Sequence, residues 1–343
     1  MKILHVNKPW FPVPTQGYGG TEKVLFDLIE SQVSRYSSVG LVANRQSNID
    51  GVFNYSNFDV PLAGQGFDRR MEDAVASQAI KVFQEFEFDV IHAHSIEAIL
   101  PLVSYLNIPT VFTHHCIPTE EFYAIWDTLP KSSNIRNVFI SQAQKDSYQR
   151  IEGSVVHHGI NLNEFQTGEP FRSEEYLVFV GAIMPEKGVK EAIEIAKMSG
   201  KKLIIAGTKK EKYLGYYNEV MELVAQSNAI EFIGEVNDSQ RNQIVSHAQY
   251  FIFTSLWAEP FGRVLLESLA VGTPVLAFRK GSAIEILKDA PYSHTFENIT
   301  SMVEYLMKPS RAVHSEKIKK FVEDDFSVSR MVTGYDEVYR SLI

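Results

Sequence analysis

Glu259-Pro260-Phe261-Gly262-Arg263-Val264-Leu265-Leu266-Glu267 sets two glutamates eight positions apart around a Pro-Phe-Gly turn. The strand-like run Tyr250–Thr254 precedes it, and an apolar helical pattern follows. This spacing places one carboxylate on a loop and the other about a turn into the helix. The first N–H groups of the helix lie between them. A helix start at the carboxyl end of a parallel strand is a ready site for phosphate. A carboxylate on either side can accept hydrogen bonds from sugar hydroxyls. Phosphate in the middle with hydroxyls at both ends describes a nucleotide-sugar. Two spaced glutamates alone fit a solvated helix residue and an ordinary loop charge better. The flanks tip the balance: Gly272-Thr273-Pro274 ends the helix, and the apolar run Val275–Phe278 starts a new strand at once.

Outward from this run, short β-rich segments alternate with helical ones along the whole chain. Ile3–Asn7, Val39–Ala43, Asp89–His94, Thr110–Thr113, Val138–Ile140 and Ser154–His157 read as strands of a first half. Tyr176–Val180, Lys202–Ala206, Ile230–Ile233, Tyr250–Thr254 and Pro274–Phe278 read as strands of a second. The helix Thr21–Val33 sets Val24, Leu25, Leu28 and Ile29 on one face. Alternation of this kind predicts parallel sheets with helical crossovers, built twice. The polar stretch Gln166-Thr167-Gly168-Glu169-Pro170 is the expected linker, giving domains at 1–166 and 167–326. The run from Phe326 to Ile343 is amphipathic, with Met331, Tyr335, Val338, Tyr339 and Leu342 as its apolar stripe.

The 343 residues suit two domains, and a 45% apolar fraction is ordinary for a globular chain. A net charge of -9 argues against nucleic acid as a partner. The single cysteine, Cys116, excludes an internal disulfide and agrees with a reducing, cytoplasmic setting. The start Met1–Asn7 reads as a core strand rather than a signal segment, and no run approaches the ~20 apolar residues of a membrane span. Peripheral membrane contact stays open.

The glutamate run resembles the Glu-x7-Glu motif of retaining GT-B glycosyltransferases, in particular glycosyltransferase family 4 of group 1. The resemblance covers essentially the whole chain and is strongest over residues 176–290. It implies an α/β fold of two facing Rossmann-like domains, a donor cleft between them, and a C-terminal helix (327–343) crossing back to the first domain. It implies that Glu259 contacts donor-sugar hydroxyls and Glu267 the ribose, with the Phe261, Gly262, Arg263 and Val264 amides on the diphosphate.

Other segments are similar to the family's motifs. Gly181-Ala182-Ile183-Met184-Pro185-Glu186-Lys187-Gly188 resembles its Gly-Arg…Lys-Gly loop, with Lys187 on the diphosphate. Ala182 stands where the family has an arginine; Arg263 either compensates in part or points to solvent. The loop containing Gly19 and Gly20 resembles the Gly-Gly loop that approaches the diphosphate. It is no dinucleotide fingerprint, and a turn without ligand reads equally well. Thr113-His114-His115 matches a Thr-x-His pattern that puts His115 beside the transferred sugar. His92 and His94 end an Asp-Val-x-His-x-His strand and, at period two, share a face. Hydrogen-bonded packing is the plainer reading for His92, His114 and His157, and a zinc site fits their spacing poorly.

Phe278-Arg279-Lys280-Gly281-Ser282-Ala283-Ile284-Glu285 matches a further family segment, which helix capping explains as well as a place near the donor. No Asp-x-Asp occurs, so no metal or other cofactor is expected. The expected reaction moves a hexose from a nucleotide diphosphate-sugar, UDP- or GDP-linked, to a glycan, lipid or small-molecule hydroxyl. A weak or inactive nucleotide-sugar binder and an epimerase of the same fold are the alternatives.

Overall fold

The computed structural model describes residues 1–15, 19–56, 69–165, 176–309 and 312–343. The expected linker Gln166–Pro170 and the Gln16-Gly17-Tyr18 part of the glycine loop lie outside them. The chain divides into two compact units, Met1–Gly159 with Val328–Ile343, and Ile160–Ser327.

The first unit holds a seven-stranded sheet: β1 (Lys2–Asn7), β2 (Ser38–Val42), β3 (Phe53–Asn54), β4 (Val90–His94), β5 (Thr110–His114), β6 (Ile135–Phe139) and β7 (Ser154–Val155), in the order β3-β2-β1-β4-β5-β6-β7. The second holds six: β8 (Tyr176–Val180), β9 (Lys202–Ala206), β10 (Ile230–Gly234), β11 (Tyr250–Phe253), β12 (Val275–Phe278) and β13 (His294–Phe296), in the order β10-β9-β8-β11-β12-β13. All strand pairs are parallel. Strand order reverses beside β1 in the first unit and beside β8 in the second. In such sheets the carboxyl ends at the reversal form the ligand crevice.

The central strands are buried along nearly their whole length because helices cover both faces. One face of the first sheet packs Leu4, Val6, Ile91, Phe112 and Phe139. The other packs Ile3, Val90, Val111, Val138 and Val156 against Val24 and Leu28 of the helix Gly20–Val33 and against the C-terminal helix Val328–Arg340. That terminal helix thus completes the first unit, burying Met331, Val332, Tyr335, Val338 and Tyr339.

Several boundaries differ from the sequence reading. Strand β6 begins at Ile135, three residues earlier than expected, where Arg136 and Asn137 mask the apolar pattern. The edge strands β3 and β13 were not legible, being too short to show a period of two. The terminal helix agrees with the expected run to within a few residues: it spans Val328–Arg340, and Ser327, extended at ψ 155°, separates it from the helix Ser315–Phe326. Among the described residues no helix is long and apolar enough to cross a membrane.

Tyr335 is 1% exposed, and its hydroxyl lies 3.1 Å from Thr113 Oγ1. Tyr335→Ala should cost about 3–5 kcal/mol in chemical denaturation, as for other large aromatic deletions, and Tyr335→Phe only about 1 kcal/mol. A loss below about 1 kcal/mol for the alanine variant would mean that the terminal helix does not support the first unit.

Candidate active site

In the second unit the site is built where β8 and β11 end. Gly188 has φ +69°, and a Cβ there would meet the Thr254 carbonyl oxygen at 1.9 Å, so only glycine fits. Thr254 Oγ1 donates to the Gly188 carbonyl at 2.7 Å, and the Leu256 N–H donates to the Glu186 carbonyl at 2.8 Å. This zipper fastens the Glu186–Gly188 turn to the end of β11. It brings Lys187 Nζ to 2.6 Å from Glu259 Oε1.

The loop carrying Glu259 is braced from behind. The Ser282 N–H donates to the Glu259 carbonyl at 3.1 Å, and Ser282 Oγ to the Phe261 carbonyl at 2.6 Å. A Cβ at Gly281 would stand 2.6 Å from both the amide N and the carbonyl O of Glu259. The Gly281-Ser282 segment therefore acts as a support for Glu259.

Gly262, left-handed at φ +71°, opens the helix Arg263–Ala270, and no side chain caps it. Its N-terminal dipole is aimed into the loop between the two glutamates. One turn on, Glu267 is clamped by Arg263 Nε at 3.3 Å and Arg241 Nη1 at 3.2 Å, all three side chains being only 10–11% exposed. Arg263 is therefore packed on Glu267 rather than turned to solvent. Arg241 comes from the helix Asp238–His247 and carried no sequence signal.

The first unit collects histidines on the face shared with the terminal helix. His5 pairs with His92 across β1 and β4, and His94 with Thr113 across β4 and β5. His115 Nε2 lies 3.1 Å from His94 Nδ1, and His94 Nε2 lies 3.1 Å from His5 Nδ1. His158 Nε2 approaches His115 Nδ1 at 3.3 Å, and Ser95 Oγ accepts from the His115 amide at 2.7 Å. His92 meets Tyr339 OH at 2.6 Å and Thr113 Oγ1 at 2.8 Å. The ring nitrogens of His5, His92 and His94 lie close enough to hold a metal ion. All six are already engaged in hydrogen bonds, which a metal would have to displace.

His114 points to the opposite face, stacked on Phe139 at 4.9 Å and bonded to Asn137, and is a packing residue. At the start of the helix Gly20–Val33, Gly19 has φ +142°, and a Cβ there would meet Thr15 at 2.5 Å. Gly20 has open space where its Cβ would stand, and the N-cap residue Gly19 has no side chain to cap this helix. Glu22 sits in its first turn, where burial raises the carboxyl pKa.

The model for glycosyl transferases group 1 matches residues 162–331, and that for glycosyltransferase family 4 matches residues 18–164. The chain is a group 1, family 4-like glycosyltransferase. An uncharacterized glycosyltransferase of Methanocaldococcus jannaschii is 28% identical over 151 residues, covering 39% of this chain and 38% of the relative. The matches to this and two further curated relatives span 32–41% of those proteins' own length. A glycosyltransferase involved in avilamycin A biosynthesis superposes with a TM-score of 0.74 at 21% identity, covering 99% of this chain and 97% of that one. An Anabaena protein solved with UDP and glucose does so at 0.76 and 17%, covering 99% and 100%. These structures share the GT-B fold.

The transferase's buried histidines set its acid limit. Burial lowers His5 to about 4 and His114 to about 3, and takes His92 and His94 well below the ordinary 6.5. Below pH 6.5 the unfolded chain binds protons that the folded chain does not, so stability falls with pH. Each group contributes up to ~1.4 kcal/mol per pH unit, so four lose on the order of 5 kcal/mol between pH 7 and 5.5. The melting temperature should drop steeply over that window, and His114→Gln should flatten the drop by about one proton. A melting temperature unchanged down to pH 5.5 would contradict the buried neutral assignment.

Proposed function

We propose that this glycosyltransferase moves a hexose from a nucleotide diphosphate-sugar to an acceptor hydroxyl, with retention at the anomeric carbon and without a metal. The observation that carries the reading is the second unit's helix start behind its glycine N-cap, Gly262, flanked by Glu259 on Lys187 and Glu267 on two arginines. An anion suits the helix start. Glu259 offers acceptors to sugar hydroxyls, and Glu267, held in place by its clamp, offers them to a ribose. Lys187 and the amides from Phe261 to Val264 take the diphosphate, with Arg263 lending its charge from its place on Glu267.

In the first unit, His115 hydrogen-bonds the sugar or acceptor, and Gly19 and Gly20 leave the backbone of their helix start open to phosphate. The bond from the anomeric carbon to the phosphate oxygen breaks, the acceptor oxygen takes its place, and the leaving phosphate receives the acceptor proton. The Anabaena protein solved with UDP, and with UDP-glucose, supports a nucleotide-sugar donor, UDP-linked in the first instance. GDP-linked sugars fit the same groups.

A panel of UDP-, GDP-, ADP- and dTDP-sugars tests this by thermal unfolding. A ligand at ~100 times its Kd should stabilise the fold by roughly 2.7 kcal/mol, and Glu267→Ala should abolish most of that shift. No shift from any nucleotide-sugar would remove the donor assignment. Turnover of the donor found this way should survive EDTA unchanged. A loss restored by Mg²⁺ or Mn²⁺ would show that a metal, not the helix start and cations, holds the diphosphate.

A further inference from the structure

His115 ends a string of hydrogen bonds that starts well inside the first unit. Gln32 Oε1 lies 2.7 Å from His5 Nε2, His5 Nδ1 lies 3.1 Å from His94 Nε2, and His94 Nδ1 lies 3.1 Å from His115 Nε2. Gln32, His5 and His94 are at most 2% exposed, so water does not complete these bonds in their place.

A neutral imidazole has one N–H and one bare nitrogen, so each link dictates the next. An amide oxygen only accepts, which puts the His5 proton on Nε2. The bare Nδ1 of His5 then requires the His94 proton on Nε2, and the bare Nδ1 of His94 requires the His115 proton on Nε2. Every ring in the string carries the same tautomer. The amide also closes the string: Gln32 cannot take up a proton, so the histidines position one another rather than conduct charge.

A second string leaves the other end of the same amide. Gln32 Nε2 donates to Tyr339 OH at 3.2 Å, and Tyr339 OH lies 2.6 Å from His92 Nδ1. His92 Nε2 lies 2.8 Å from Thr113 Oγ1. Turning the amide over would reverse both strings together.

We infer that Gln32 is a positioning residue for catalysis: through His5 and His94 it fixes the proton of His115 on Nε2, so that Nδ1 is the hydrogen-bond acceptor His115 offers. The inference rests on the proposed place of His115 beside the transferred sugar. His158 meets that Nδ1 at 3.3 Å, a long bond that a sugar or acceptor hydroxyl can replace. With the opposite tautomer, His115 would offer a donor there instead, and a hydroxyl would have to bind through its lone pair.

Side-chain ¹⁵N spectra of the histidine-labelled full chain test this without any substrate, so its failure is distinct from failure of the transferase reading. Wild type at pH 7.5 should show a protonated Nε2 and a bare Nδ1 for His5, His94 and His115. A His115 proton on Nδ1 overturns the inference. Gln32→Met removes the acceptor while keeping the volume, and should shift the His115 ring nitrogens toward a mixture of tautomers. Gln32→Glu keeps an oxygen for His5 and should leave His115 as in wild type. A Gln32→Met protein with unchanged His115 shifts would show that His115 is set by its own neighbours. Should that variant not fold, the wild-type spectrum still decides, since a His115 proton on Nδ1 overturns the inference.

Discussion

A polar group taken out of water must find a partner, and the first unit is arranged around that requirement. Its sheet face is apolar through Ile3, Val90, Val111 and Val138, then carries His5, His92, His94 and Thr113 toward the carboxyl edge. Left alone, each ring nitrogen would cost about 1–3 kcal/mol. The terminal helix answers with two tyrosine hydroxyls, and the helix Gly20–Val33 with the amide of Gln32. A segment from the far end of the sequence is thus indispensable to the first unit. It supplies hydrogen bonds as well as apolar area, and hydrogen bonds fix direction where apolar contact does not.

In the second unit the governing constraint is close backbone approach. Gly188 against Thr254 and Gly281 against Glu259 each leave no room for a methyl group. These contacts hold three loops from three strand ends at one place, with buried charges arranged on them in pairs. Glu267 between two arginines is a costly arrangement unless all its members are present. That cost makes the triad a rigid element, suited to holding a carboxylate in one orientation.

Much of this was legible in the sequence because it is local. Glu259 and Glu267 bracket one turn, Lys187 sits beside its glycine, and His92 and His94 share a face through the period of a strand. The stripe of Met331, Tyr335, Val338 and Tyr339 announced a helix with one buried face. What could not be read depends on chain segments meeting from a distance. Arg241 lies on a helix with an ordinary polar pattern and gains its meaning from Glu267 on another. Gln32 looks like any residue at a helix end until His5 is placed beside it.

Ala182 bears on how charge is balanced in the second unit. Lys187 is paired with Glu259, and Arg241 is shared between Glu267 and Asp238. With Arg263 added, three cations face three carboxylates in this group, so formal charge leaves little surplus for an anionic ligand. The positive end of the helix Arg263–Ala270, roughly half an elementary charge, would then be a proportionally larger share of what the proposed diphosphate meets. An arginine at position 182 would have supplied a full charge. On the proposed reading its absence shifts the work toward the backbone, where the N-cap residue Gly262, left-handed, has no side chain to cap the helix. On the proposed reading the first amides of that helix would meet the diphosphate by geometry, and such a site depends on the loop path that Gly281, Ser282 and Gly188 enforce.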